Sequence, residues 1–164
     1  MTIVTKKGDG GYTYLYNGKK LSKSDDLTDT IGTIDELQAF IGLVYNKIKK
    51  KKTKKILTEI EKDLYQIMAY LSAAKINLKP VEKRVFEFEE IIKNFEKNNP
   101  KITKFVLPGK NEASSWFHIL RTITRRAERK VVKLFKTKKN YPDDSLIIAY
   151  FNRLSDLFFV FSLV

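Results

Sequence analysis

The sequence predicts an all-α fold, a five-helix antiparallel bundle that begins with a glycine-rich N-terminal loop segment. Apolar residues recur every three or four positions in five segments between about residue 33 and residue 163, as they do along one face of an α-helix. The connections are short, and no segment predicts a convincing sheet. At 164 residues, the chain is expected to form one domain (1–164), with a loop segment at 1–30 and the helix bundle at 31–164.

The first 30 residues differ from the rest because they are rich in glycine. Gly8, Gly10, Gly11 and Gly18 lie there, and Gly32 follows just beyond. The pattern predicts a glycine-rich loop, a short hairpin-like piece around Asn17-Gly18 and a second loop. Such a segment buries little surface by itself, so it either frays or folds over something.

Five helices follow, each with a stripe of apolar residues. An extended loop at 101–110, with a turn at Pro108-Gly109, joins the third helix to the fourth. The predicted helices start at about Thr33 for the first, run from Lys55 to about Ile76 for the second, from Pro80 to just before Asn98 for the third, from Trp116 to Phe135 for the fourth, and from Ser145 to about Leu163 for the fifth.

The fifth helix carries more apolar residues than one stripe requires. Phe151, Phe158 and Phe159 lie off its main stripe. A helix that is apolar over so much of its circumference usually has a second covered face, and a subunit interface would supply it.

The chain is strongly basic, with a net charge of +13 from 32 Lys and Arg against 19 Asp and Glu. This balance favours an anionic partner such as a nucleotide. Much of the excess lies in lysine runs at 49–55 and 136–139, which are more typical of solvated surface, so net charge alone does not establish nucleic-acid binding. The absence of cysteine excludes disulfides and thiolate metal sites. Without a signal-like start or a membrane-length apolar run, a soluble cytoplasmic protein with no membrane partner is expected.

The fourth helix predicts a phosphate-binding edge. Arg121, Arg125 and Glu128 recur at spacings of four and three beside the apolar stripe, and Arg126 falls on the opposite flank. Arginine presents a planar, permanently charged fork that suits phosphate. The alternative is a solvated helix face with Arg–Glu pairs worth a few tenths of a kcal/mol each, roughly.

Other chemistries find little support in the sequence. His118 is the one histidine and no Glu-x-x-His pair exists, so a di-iron bundle is unsupported; His118 is expected on the helix surface or at an interface. Acyl transfer lacks a nucleophile constellation. The Gly8–Gly11 loop, with Lys6, Lys7 and Thr13 around it, can offer amides and charge to a polyphosphate, although it lacks the ending of a Walker A loop.

Six segments, taken in order, resemble one family nearly from end to end. The chain is similar to the PduO-type ATP:cob(I)alamin adenosyltransferases, the corrinoid adenosyltransferase family. The segments are TKKGDGGYTYL at 5–15, LSKSDD at 21–26, IGTIDELQAFIGL at 31–43, KFVLPG at 104–109, RTITRRAER at 121–129 and YFNRLSDLFFV at 150–160.

The resemblance implies a homotrimeric five-helix bundle that binds ATP with Mg²⁺ between subunits. It also implies that cob(II)alamin is held without its axial base, which eases reduction to cob(I)alamin by a reductase partner. Cob(I)alamin then attacks the 5′-carbon of ATP, and triphosphate leaves. No general base is needed, because the reduced metal is the nucleophile. A non-catalytic cobalamin carrier and a basic helical nucleic-acid-binding protein remain as alternatives.

The resemblance also implies roles for individual residues, while the metal ligands stay unknown. Asp35 and Arg121 match a salt bridge between subunits near the site, and with Arg125 they are the expected catalytic residues. Phe105 matches an aromatic that occupies the lower face of the corrin. The expected ATP contacts are Thr5, Lys6, Lys7, Gly8, Thr13, Tyr14 and Lys23 from the N-terminal segment, and Arg125, Arg126, Glu128, Arg129 and Asn152 from the helices. Lys7, Tyr14 and Gln38 depart from the residues usual in the family.

Overall fold

A computed structural model describes residues 2–138 and 141–164, which form five helices and one two-stranded sheet. The all-α prediction is therefore confirmed. Lys139, the last residue of the second lysine run, lies outside the described residues. The elements are β1 (Tyr12–Tyr14), β2 (Lys20–Ser22), α1 (Asp26–Lys47), α2 (Lys51–Leu71), α3 (Lys79–Asn98), α4 (Glu112–Thr137) and α5 (Asp144–Leu163).

Helix α1 begins at Asp26, so the expected start near Thr33 is wrong. The Asp25 carboxylate caps the helix by accepting a hydrogen bond from the Leu27 amide at 2.8 Å. Thr30 and Thr33 occupy buried positions in the first turns, and their hydroxyls donate to main-chain oxygens one turn earlier. Because these polar residues occupy core positions, they interrupt the apolar stripe, and its periodicity does not predict the first two turns of the helix.

Helix α2 spans Lys51–Leu71, and so both of its predicted ends are wrong. It starts inside the lysine run because lysine is a good helix former. It stops early because Ala73 adopts φ +67° and closes a Schellman motif, in which the Ala73 amide donates to Tyr70 O and the Ala74 amide to Ala69 O. Glycine usually occupies the left-handed position of this motif, so an alanine there gives no sequence signal.

The remaining helices agree better with the sequence. Helix α3 ends at Asn98, one residue beyond its predicted end, and α5 starts at Asp144, one residue before the predicted Ser145. Helix α4 is longer than predicted because the Asn111 side chain caps it by accepting from the Ser114 amide at 2.8 Å. The loop before it contains no regular secondary structure and turns at Gly109, which has φ +110°.

The hairpin-like piece is a true antiparallel β-hairpin. Strands β1 and β2 pair with Thr13 opposite Leu21. Gly18 adopts φ +80° in the turn, and its amide donates to Leu15 O at 2.9 Å. The Tyr16 amide donates to Ser72 O at 3.1 Å, which attaches the hairpin to the C-terminal end of α2.

Helix α1 packs antiparallel to both α2 and α4, α4 packs antiparallel to α5, and the pair α3–α5 runs parallel. Ion pairs mark the α1–α4 alignment, with Lys47 against Glu112 at one end and Lys133 against Asp26 at the other. The hairpin therefore lies at the bundle end where α1 starts, and the loop before α4 lies at the opposite end. All five helices contribute to a single core.

Helix α5 lies in that core. Phe151 and Phe158 are fully buried by the chain itself, so they need no subunit interface, and only the half-buried Phe159 keeps part of the apolar surface on which that prediction rests. The expectation that no apolar run could span a bilayer is also wrong, because α5 is long and apolar enough to do so. More than half of the apolar stretch of α5 is buried inside the bundle, as in a core helix.

An ionic cluster around the buried Asp63 joins α2, α3 and α5. Arg84 on α3 donates to Asp63 at 3.0 Å and to Glu59 at 2.9 Å, and it also pairs with Glu87. Asp63 is only 2% exposed and accepts a hydrogen bond from Tyr150 at 3.3 Å. Burial raises the pKa of Asp63 to about 6, and Arg84 acts against that rise.

Candidate functional site

Helix α4 carries its arginines on two different flanks, as the spacing predicts. Glu128 accepts a hydrogen bond from Asn152 of α5 at 3.2 Å, so this flank faces α5. Arg126 instead forms an ion pair with Glu36 of α1. Apolar residues of α4 such as Leu120, Ala127 and Val131 lie between the two flanks and are fully buried. Within one chain, the α5-facing flank and the α1-facing flank are therefore separate surfaces.

The α5-facing flank concentrates positive charge. Arg125 is exposed and lies close enough to Asp156 to lower the pKa of that carboxyl, although burial has the larger effect and raises it. Arg121 is half-buried, and its Nε atom has no hydrogen-bond partner among the described residues. Arg129 is exposed. Neither Arg121 nor Arg125 forms an ion pair with a described residue. An anion can therefore bind at this edge without displacing a carboxylate from either arginine.

His118 lies beside this edge, and its expected place on the helix surface is wrong. The ring is 4% exposed and packs edge-on against Phe159, with the centroids 6.3 Å apart. Neither ring nitrogen has a hydrogen-bond partner among the described residues. Burial, and to a lesser degree Arg121, lower the pKa of His118, which favours a neutral imidazole.

The N-terminal segment forms a tight loop under a lysine. The Gly11 amide donates to Gly8 O at 3.2 Å, and Gly11 O accepts from the Lys23 amide at 2.9 Å. A Cβ atom on Gly8 would lie 2.7 Å from Lys23 Nζ, so the lysine ammonium rests directly over the glycine. Thr5, Lys6, Lys7 and Tyr14 are exposed around this loop, and Thr13 is half-buried in β1. Ammonium groups and a close glycine backbone are the features that a polyphosphate requires.

Phe105 lies at the other end of the bundle. Its side chain is 89% exposed in the extended loop, with Leu107 also exposed nearby. Lys110 Nζ donates to Leu163 O at 3.1 Å and so holds the loop against the C-terminal end of α5. An exposed phenylalanine on a tethered loop is available to contact an apolar ligand, which an ordinary core residue is not.

The two loops are too far apart to meet in one chain. Helix α4 runs between their ends of the bundle and has 26 residues, or about 39 Å at 1.5 Å per residue. Asp35 is exposed and, among the described residues, forms no ion pair with its expected partner Arg121. Most of the predicted site residues thus form three groups, the N-terminal loop, the α4–α5 edge and the Phe105 loop, while Arg126 on the α1-facing flank and Asp35 on α1 belong to none of them.

A cavity of about 600 Å³ opens at the Phe105 end of the bundle. Its walls come from the α1–α2 joint, the start of α4 and the end of α5, and include Phe117, Phe161, Lys49 and Lys50. No sequence pattern predicts this cavity, because its lining residues lie far apart in the chain.

Among residues 2–138 and 141–164, no group of three or more His, Cys, Asp or Glu side chains could hold a metal ion. A divalent cation would therefore need ligands from a bound phosphate group, as Mg²⁺ commonly does.

The chain matches known proteins over nearly its whole length. The family model described as cobalamin adenosyltransferase matches residues 3–164. Two curated relatives, both named corrinoid adenosyltransferase, come from Bacillus subtilis and Citrobacter freundii. The first is 37% identical over 97% of this chain and 83% of the relative, and the second is 33% identical over 96% and 90%.

Two solved structures of a PduO-type adenosyltransferase from Lactobacillus reuteri are similar in fold. A phenylalanine-to-histidine variant, complexed with cobalamin and ATP, has a TM-score of 0.89 at 31% identity and covers 98% of this chain and 89% of that chain. An arginine-to-lysine variant, complexed with ATP, has a TM-score of 0.86 at 34% identity and covers 98% and 91%.

Proposed function

Because the chain belongs to the cobalamin adenosyltransferase family, we propose that it transfers the 5′-deoxyadenosyl group of ATP to the cobalt of cob(I)alamin. The products are adenosylcobalamin and triphosphate. The observation that carries this proposal is the family match over residues 3–164, which includes the glycine loop, the arginine edge and the Phe105 loop together. We expect the reaction to take place in the cytoplasm, with a reductase partner that supplies the electron to cob(II)alamin.

The chemistry of the site residues suits this reaction. Triphosphate leaves as the bond between carbon and oxygen breaks, so fixed positive charge and backbone donors are needed around it. Lys6, Lys7, Gly8 and Lys23 supply these groups from the N-terminal loop. Arg125 supplies a guanidinium free of ion pairs in the described residues. Mg²⁺ reaches the site on the phosphate oxygens, because the described residues offer no metal cluster of their own.

The direct test is to incubate the protein with ATP, Mg²⁺ and chemically reduced cobalamin. Formation of the light-sensitive adenosylated product is the expected result. A protein that binds cobalamin but gives no product would be a carrier, which would refute the proposed activity.

We expect the chain to assemble as a homotrimer with ATP between subunits. The separation of the N-terminal loop from the Phe105 loop supports a site built from more than one chain. Arg121 and the exposed Asp35, which are unpaired with each other within the described chain, are available to pair across an interface. A ring with three equivalent interfaces satisfies both groups in every subunit.

Light scattering at micromolar concentration is expected to give about three times the 19.1 kDa of one chain. Asp35→Asn should shift the protein towards smaller species, because it removes one charge of the proposed pair. A wild-type protein that stays monomeric with saturating ATP would refute the shared-site proposal.

Phe105 is expected to act on the redox step and not on ATP binding. A large apolar side chain under the corrin excludes the axial base and water, and cobalt without an axial donor is easier to reduce. Phe105→Ala should therefore reduce the rate strongly when the assay starts from cob(II)alamin, and less when cob(I)alamin is supplied. Because the side chain is 89% exposed, its loss should not affect folding.

Electron paramagnetic resonance supplies the control for this prediction. The four-coordinate cob(II)alamin signal seen with ATP should shrink in Phe105→Ala, while Leu107→Ala, on the same exposed loop, should retain it. Equal rate losses in both assays with an unchanged signal would mean that Phe105 has no role at cobalt.

A further inference from the structure

The 600 Å³ cavity near the Phe105 loop combines two kinds of surface. Phe117 and Phe161 form an apolar wall, with their rings edge to face and the centroids 5.3 Å apart. Lys49 and Lys50 stand at the lining next to Ile48, and neither forms an ion pair with a described residue. An apolar pocket with a cationic rim fits a ligand that has a flat apolar part joined to an anionic part.

The acidic residue in the cavity does not oppose an anion. Glu112 pairs with Lys47 at 3.0 Å and also accepts a hydrogen bond from the indole of Trp116 at 3.3 Å. The negative charge of Glu112 is therefore offset, and Lys49 and Lys50 give the cavity rim a net positive charge.

A complete corrinoid has a part with these properties. Its lower axial base is a flat bicyclic aromatic group, tethered to the corrin through a ribose and a phosphodiester. If Phe105 takes the place of that base under the cobalt, the base and its tether must move elsewhere. Asn111, which lines the cavity, lies six residues after Phe105, and so the two are at most about 20 Å apart along an extended chain.

We propose that this cavity binds the nucleotide tail of a complete corrinoid, with the displaced base against Phe117 and Phe161 and the phosphodiester beside Lys49 and Lys50. The inference rests on the proposed function and deepens it, because it gives the enzyme a preference for cobalamin over cobinamide, which lacks the tail. Phe105 removes the base from cobalt, and the cavity keeps it from returning.

The test removes two lysine charges from the cavity rim. Lys49→Gln with Lys50→Gln should weaken cob(II)alamin binding about tenfold, the effect of losing a charge-assisted contact in a partly solvated site. Cob(II)inamide binding should change less than about twofold, because that ligand has no phosphodiester. The matched control is Lys51→Gln with Lys52→Gln, which removes the same charge from the next two residues, neither of which lines the cavity.

Binding can be followed through Trp116, the one tryptophan of the chain, because a corrin that absorbs light nearby quenches its fluorescence. A second variant, Thr53→Glu, places a negative charge at the cavity wall in the first turn of α2, where an acidic residue favours the helix. It should also weaken cobalamin and spare cobinamide.

Equal weakening of both corrinoids, or no change in either, would overturn the tail site while adenosylation by the wild-type protein still supports the proposed function. A change in assembly mass caused by the Lys49 and Lys50 substitutions would also overturn it, because the cavity would then belong to a subunit contact. Failure of the proposed function itself would appear as no adenosylation of either corrinoid.

Discussion

Arg125→Ala is expected to lower the rate of adenosylcobalamin formation about 100-fold, the typical effect of removing one preorganised charge contact from a reacting centre. The arginine is exposed beside the core stripe of α4 and not within it, so the free energy of unfolding should hardly change. Its charge is needed most as triphosphate leaves, and therefore kcat should fall more than the affinity for ATP. Steady-state rates with supplied cob(I)alamin, together with urea unfolding, measure both effects.

Lys51→Ala is the control for this variant, because Lys51 is also exposed but lies in the lysine run at the start of α2. It should leave the rate within about twofold of the wild type. A loss as large as that of Arg125→Ala would show that the overall positive charge, and not the arginine edge, drives the reaction. The sequence also predicts little effect from Lys138→Ala, but Lys138 pairs with the helix cap Asp25 at 2.6 Å and can contribute to stability.

Arg84→Met is expected to lower the free energy of unfolding by about 3–5 kcal/mol, the usual cost of removing one partner from a buried ion pair. Without Arg84, the Asp63 carboxylate must either stay charged in a site that is 2% exposed, with only the Tyr150 hydroxyl donating to it, or take up a proton, and both alternatives cost free energy. Urea unfolding at neutral pH measures the loss.

The same variant should show a distinct pH dependence. Burial already raises the pKa of Asp63 to about 6, and removal of the Arg84 charge, which lowers that pKa, should raise it further. The unfolding free energy of the variant should therefore fall as the pH rises from 5 to 8, because the folded state prefers the protonated acid. Lys62→Met, which breaks only the exposed pair with Glu59, should cost under about 1 kcal/mol. A similar small effect for Arg84→Met would mean that water reaches Asp63.

How much of the fold the sequence predicts depends on where local signals agree with packing. Helix α4 has an uninterrupted apolar stripe, and its arginines lie on the flanks that the spacing predicts. The apolar pattern predicts a start of α1 that is too late, because Thr30 and Thr33 satisfy their hydroxyls within the helix and so occupy core positions. The end of α2 depends on the left-handed backbone of Ala73, which composition does not reveal.

The candidate site shows the same division. Residue types and spacing predict a cationic helix edge and a glycine loop, and the structure contains both. The burial of His118 against Phe159 depends on how α4 packs on α5, and a single histidine on a helix carries no such information. Periodicity alone predicts an interface at Phe151 and Phe158, because the pattern of one helix cannot show how many neighbouring helices cover it.

The proposed division of each site between two subunits has a consequence for inheritance. If each site takes its glycine loop from one subunit and its arginines from the next, two differently damaged copies of the gene can compensate for each other. In a trimer that contains both subunits with a defective glycine loop and subunits with a defective arginine edge, one of the three sites always has an intact loop and intact arginines. Random mixing in equal amounts would leave roughly a quarter of all sites intact, although neither copy alone makes any.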